Sequence, residues 1–157
     1  MSASMNAVEL KIPPLALALI CALAMWLAST QMPQLAFTIP AQQFIAIALA
    51  GLGIGIVLLA GLHFRRAGTT VNPTRPQATT AVVATGVYRL SRNPMYVGFL
   101  LALAGWAVFL AHGLPLLFLP AFVLYMNRFQ ISPEERMLAA KFGDDYERYR
   151  QAVRRWL

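Results

Sequence analysis

The side chains with chemical potential gather in two stretches of this chain. In the first, Gly86 to Phe99, Tyr88, Arg89, Arg92, Asn93 and Tyr96 surround Pro94 where a basic loop meets a strongly apolar run. In the second, Ser132 to Tyr149, Glu134, Glu135, Tyr146 and Tyr149 follow another apolar run. Polar groups that enter hydrocarbon must find partners or line a cavity, so their position there calls for a reason. Arginine, tyrosine, asparagine and glutamate near helix ends can hold a charged, polar cofactor and orient an acceptor. They are poorly equipped to supply a strong covalent nucleophile. The set therefore favours transfer of an already activated group, in which the protein supplies placement.

Other chemistries are disfavoured by position. His63 follows the second apolar run and His112 lies in a turn at the opposite side, a bilayer core of ~30 Å away, so neither a histidine metal site nor a serine–histidine triad is expected. The single cysteine, Cys21, sits inside an apolar run and reads as a packing residue; one thiol allows neither a disulfide nor a cysteine metal cluster within the chain. No phosphate-binding glycine loop with lysine is present. Gly51-Leu52-Gly53-Ile54-Gly55 superficially resembles a dinucleotide loop but lacks the preceding strand. Gly51 and Gly55 are read instead as a face of small residues where another helix can approach.

The elements that must position these residues follow from composition. Of 157 residues, 59% are hydrophobic and 12% charged, against roughly 25% charged in soluble domains. Lipid is the expected solvent. The net charge of +7 alternates along the chain: basic residues precede the first apolar run, fill the loop between the second and third, and follow the fourth, whereas residues 31–43 and 111–115 carry none. That is the positive-inside pattern, with attraction to anionic lipid; nucleic acid is not an expected partner. The expectation is an all-α integral membrane protein, a single domain over 1–157, with about four transmembrane helices at 15–30, 44–62, 95–111 and 115–129. His112-Gly113-Leu114-Pro115 makes the turn between the last two. Glu9 and Lys11 before the first run favour a retained span over a signal peptide. Both termini fall on the cytoplasmic side, in a bacterial inner membrane.

Between the second and third spans, Pro73 and Pro76 bracket Arg75, and residues 79–84 form a short extended piece. Pro94 suits the first turn of its helix, with Asn93 as a possible N-cap. Ser132-Pro133-Glu134-Glu135 has the pattern of a capping box, giving a cytoplasmic helix over 133–142 that stops at Gly143. A second helix over 145–156 lines Tyr146, Tyr149, Val153 and Trp156 along one face, as an interfacial helix on the leaflet would.

Thr85-Gly86-Val87-Tyr88-Arg89, Arg92-Asn93-Pro94-Met95-Tyr96-Val97-Gly98, Glu134-Glu135-Arg136-Met137-Leu138 and Phe142-Gly143-Asp144-Asp145-Tyr146-Glu147-Arg148-Tyr149 resemble, in that order, the isoprenylcysteine carboxyl methyltransferase family and the related phospholipid methyltransferases. The resemblance covers roughly residues 70–155. It implies an integral membrane enzyme that uses S-adenosylmethionine, releases S-adenosylhomocysteine, and methylates a lipophilic or small acceptor entering from the bilayer. It further implies a cytoplasmic cofactor pocket closed over by the C-terminal segment. The implied catalytic set is Arg92, Glu135 and Tyr149. The implied cofactor-binding set is Tyr88, Asn93, Pro94, Tyr96, Glu134, Glu135 and Tyr146, with Glu135 at the acidic position associated with the cofactor's amino group, and no metal. Asn93 stands where the signature usually has histidine, and Arg154-Arg155 where a proline usually follows Val153. Two rival readings are a nicotinamide-dependent membrane reductase of the sterol reductase type and a non-enzymatic membrane adaptor.

Overall fold

Pro13 and Pro14 start the first helix, the second proline serving at a position where a missing N–H costs nothing. A computed structural model describes residues 9–68 and 82–157. Its helices are α1 (Pro14–Gln31), α2 (Gln42–Arg66), α3 (Pro94–Leu110), α4 (Gly113–Tyr125), α5 (Ser132–Phe142) and α6 (Asp144–Ala152). Short 3₁₀ turns occupy Pro33–Leu35 and Gly86–Arg89. Pro73, Arg75, Pro76 and residues 79–81 of the expected extended piece at 79–84 lie outside the described residues. The chain is an all-α membrane protein: α1, α2 and the rod from Gly113 to Phe142 are long and apolar enough to cross a bilayer, and α3 is a shorter apolar helix of 17 residues. Their outward faces carry exposed Leu19, Phe44, Ile47, Leu58, Leu117 and Leu124, side chains suited to lipid.

The two ends of the bundle differ completely. At one end the α1–α2 connection joins the α3–α4 turn: Phe37 N–H donates to Ala111 O at 2.9 Å. His112, buried, accepts from Leu114 N–H at 3.2 Å through Nδ1 and donates to Met32 O at 2.8 Å through Nε2. One neutral tautomer satisfies both bonds, and the ring acts as the N-cap of α4. No Asp, Glu, Lys or Arg lies there. Every such residue among those described sits at the other end.

Helices α2 and α3 run antiparallel in close contact, and the contact face differs from the one expected. Gly51 and Gly55 face open space. The seam is Ala46, Gly53 and Ala60 against Gly98 and Gly105: a Cβ on Gly53 would come within 2.5 Å of Gly98 O, and one on Gly105 within 2.7 Å of Ala46 O. Small residues every seventh position let the two backbones touch. Gln42 Nε2 closes the far end, donating to Phe109 O at 2.7 Å. Met25, Leu103, Phe122, Met126 and Ile131 fill the space among α1, α3 and α4, with Cys21 packed partly buried against them, as its apolar setting implies.

The expected capping box is absent. Ser132 is itself helical, at φ −62° and ψ −42°. Helix α4 passes through a π-helical segment, Met126–Ile131, into α5 without a break. Pro133 explains the widened turn, since it has no N–H for Phe129 O, and that carbonyl accepts instead from Leu10 N–H at 3.0 Å. Gly143 does end α5, at φ +52°. Helix α6 ends at Ala152, and Val153 is extended, so Val153 and Trp156 do not continue the Tyr146–Tyr149 face as a leaflet helix requires. The last residues instead fold back as a strap against the loop before α3.

Candidate active site

Arg92 is the hub of the charged end. Its backbone N–H donates to Arg154 O at 2.9 Å. Its Nη1 donates to Arg150 O at 2.7 Å and Val153 O at 3.1 Å, which satisfies carbonyls left over where α6 stops. Its Nη2 donates to Glu135 Oε1 at 2.7 Å, both side chains being nearly buried. Arg155 clasps the same carboxylate, Nε to Oε1 at 3.1 Å and Nη2 to Oε2 at 2.5 Å. Asn93 Nδ2 and Ser91 Oγ both donate to Arg155 O, at 2.9 and 3.3 Å, and Trp156 Nε1 donates to Asn127 Oδ1 in the π segment at 3.0 Å. Asn93 thus occupies the N-cap position of α3 without capping it; its side chain holds the strap.

Glu134, one residue away, has different partners. Its Oε1 accepts from Tyr96 Oη at 2.6 Å and from Gln130 Nε2 at 2.5 Å. No donor among the described residues reaches Oε2. The side-chain polar atoms that are both buried and unpartnered are Arg92 Nε and Tyr125 Oη, so Glu134 Oε2 remains accessible. The π segment makes this possible by turning Gln130 and Glu134 toward α3.

Aromatic side chains wall the other side. Tyr88 is buried, meets Phe64 edge to face at 5.2 Å, and through its carbonyl accepts from Tyr149 Oη at 2.8 Å. Tyr146 lies 6.3 Å from Tyr149, centroid to centroid. Gly86 permits the turn that brings Tyr88 in, having φ +59° and no Cβ, which would lie 1.8 Å from His63 Nε2. Burial raises the ionisation of all three phenols: Tyr146 is pushed up to about 12, and Tyr88 and Tyr149 are pushed well above the ordinary tyrosine value. They are neutral donors at physiological pH. Phenols that ionise near 10 when unfolded then contribute stability below that pH, which is lost as pH rises toward 12. Ultraviolet titration should show Tyr88, Tyr146 and Tyr149 ionising late, with unfolding in the same interval.

The structure brings Tyr88, Arg92, Asn93, Pro94, Tyr96, Glu134, Glu135, Tyr146 and Tyr149 to one end of the bundle, with Pro94 buried at the start of α3. The carbonyls of Tyr88 and Arg155 hold Tyr149 and Asn93, and two arginines hold Glu135. Sequence reasoning missed Ser91, Asn127, Gln130, Arg155 and Trp156. Gln130 had a signal, its four-residue spacing from Glu134 on one helix. Among the described residues no group of three His, Cys, Asp or Glu side chains stands together for a metal.

Fold and site together describe a membrane protein whose charged side chains, among the described residues, are gathered at one end. Residues 41–145 match the phospholipid methyltransferase family, and the chain belongs to that family, a group of membrane methyltransferases. A 63-residue stretch, 40% of this chain, is 49% identical to 100% of a Haemophilus influenzae protein described as uncharacterized. Two rice proteins, from Oryza sativa subspecies indica and japonica, bear the description probable protein-S-isoprenylcysteine O-methyltransferase. Each is 41% identical over 75 residues, 46% of this chain and 38% of its own length. The matched part is thus well under half of the rice proteins. No solved structure matches the chain.

Proposed function

We propose that this chain is an S-adenosylmethionine-dependent methyltransferase that methylates a lipophilic or small acceptor at the cytoplasmic face of a bacterial inner membrane. The observation that carries this reading is the pairing, at the charged end of an apolar bundle in this family, of an open carboxylate oxygen with a buried guanidinium N–H that has no acceptor. Glu134 Oε2 and Arg92 Nε have opposite needs. A ligand with an ammonium and a carboxylate or other acceptor answers both, and an unmet buried donor costs about 1–3 kcal/mol. Tyr88, Arg92, Tyr96, Glu134 and Tyr146 are the residues that would hold the cofactor, with Asn93, Pro94, Glu135 and Tyr149 shaping the site around them. Bound there, S-adenosylmethionine supplies an activated methyl group on a cationic sulfur.

The protein's own contribution is placement and exclusion of water. Asn93 cannot carry a proton near neutral pH, its amide is committed to Arg155 O, and the phenols stay neutral. An acceptor that arrives already nucleophilic, as a carboxylate, thiolate, free amine or lipid headgroup amine, suits such a site. An isoprenylcysteine carboxylate, the acceptor implied by the rice proteins' description, is one member of that class. The concentration of cationic side chains at the site end supports a cytoplasmic orientation for it.

Calorimetric titration of detergent-purified protein with S-adenosylhomocysteine, run beside NADPH, tests the proposal. Saturable binding of S-adenosylhomocysteine alone is the expected result. NADPH binding alone would make the chain a reductase; silence from both, in folded protein, would favour a membrane adaptor.

A further inference from the structure

We infer that the short segment before α1, Glu9 and Leu10, is a clamp on the widened turn of the rod, and that Glu9 is thereby a positioning residue for the site. Two bonds make the clamp. Leu10 N–H donates to Phe129 O at 3.0 Å. Glu9 Oε2 accepts from Arg136 Nη2 at 2.8 Å, with the Glu9 side chain buried and that of Arg136 half exposed. Phe129 and Arg136 lie about two helical turns apart. The two contacts therefore stand on either side of Gln130 to Pro133, where the π segment passes into α5.

The backbone of Leu10 is bent to make this contact. It lies at φ +60°, a left-handed conformation that a residue with a Cβ keeps only where its surroundings hold it. Leu10 is buried all the same, and Ile12 packs against the core of α1, α3 and α4. The segment is thus fixed to the bundle on one side and to the rod on the other. The widened turn needs such a holder. Pro133 has no N–H to return to Phe129 O, and a π turn carries one residue more than an α turn. Relaxation to α geometry would rotate the residues on one side of it by about 100° against those on the other. Buried Gln130 would then be carried off Glu134, to which its amide donates, and Asn127 would leave Trp156. Holding Phe129 O and Arg136 together fixes both sides of the turn at once.

Two tryptophans report on the clamp without any ligand. Trp156 Nε1 donates to Asn127 Oδ1 in the π segment, whereas Trp106 Nε1 donates to Ala22 O within the bundle. In the full chain, purified in detergent and labelled at the indole nitrogens, Glu9→Ala and Arg136→Ala should each shift the Trp156 signal and speed its hydrogen exchange about tenfold. The Trp106 signal should stay in place, which shows the fold intact. The double variant should do no more than the larger single one, because both remove one contact. Glu9→Gln still accepts from Arg136 and should keep part of the protection; it decides the matter by the same signals if Glu9→Ala disturbs Trp106 as well. Affinity for S-adenosylhomocysteine should fall about tenfold in Glu9→Ala, and this arm alone rests on the cofactor reading above. A Trp156 signal unmoved in both single variants would overturn the clamp. A shifted signal with unchanged S-adenosylhomocysteine affinity would overturn the positioning role. Wild-type protein that does not bind S-adenosylhomocysteine would remove the cofactor reading, and the indole signals would still decide the clamp.

Discussion

Arg92→Ala is expected to lower stability by about 3–5 kcal/mol, because it strips one partner from a nearly buried carboxylate and leaves that charge short of compensation. Glu135 would keep Arg155, whose side chain is more exposed, and the carbonyls of Arg150 and Val153 would lose their donor together. For a chain of this size such a loss moves the midpoint of thermal unfolding by roughly 10 °C, readable in detergent. Affinity for S-adenosylhomocysteine should fall with it, since the guanidinium ties α3, α5 and the strap into one wall. Arg92→Lys restores the charge but not the geometry. One ammonium cannot span Glu135 on one side and two carbonyls on the other as the planar fork does, so less than half the loss should return. A midpoint within about 2 °C of wild type in the alanine variant would mean that the strap is held by something other than Arg92.

How much of this was legible in the sequence depends on the range of the interaction concerned. The apolar helices and the segregation of charge were readable because lipid requires long uncharged runs, and because residues 31–43 and 111–115 carry no charge at all. The site residues were readable as types at helix ends, and Tyr88, Arg92, Tyr96, Glu134 and Tyr149 do meet at one end. Their partners were not. Ser132-Pro133-Glu134-Glu135 has the same letters whether a helix begins there or passes through; the deciding partner, Leu10 N–H on Phe129 O, is more than a hundred positions away. Likewise, nothing local distinguishes Arg154-Arg155-Trp156 as helix from strap. The loop Ser91–Asn93 supplies donors to carbonyls that a helix would have used internally. His112 was placed correctly in a turn, but its capping of α4 depends on Met32 O holding the other ring nitrogen.

The glycines of α2 and α3 carry the second large prediction, because on a helix apolar all round the sequence offers several small faces and only the neighbour selects one. Gly98→Leu should abolish the α2–α3 seam, and even Gly98→Ala should cost about 1–3 kcal/mol by overpacking. A Cβ at that position would sit 2.6 Å from both Gly53 O and Val57 Cγ2, and a backbone oxygen cannot turn aside as a side chain does. The helices must then part. Gly98 lies one turn beyond Pro94 and within two residues of Tyr96, so the separation carries the start of α3 away from Tyr88 and the end of α2. Binding of S-adenosylhomocysteine should weaken along with thermal stability. Gly51→Ala is the matched control: its Cβ meets nothing within 4 Å. Helix propensity favours alanine there by up to about 1 kcal/mol. The pair should therefore move thermal unfolding in opposite directions. Equal effects from the two would place the helix contact on the Gly51–Gly55 face after all, and would rotate α2, with His63 and Phe64 at its end, away from the Gly86–Tyr88 turn.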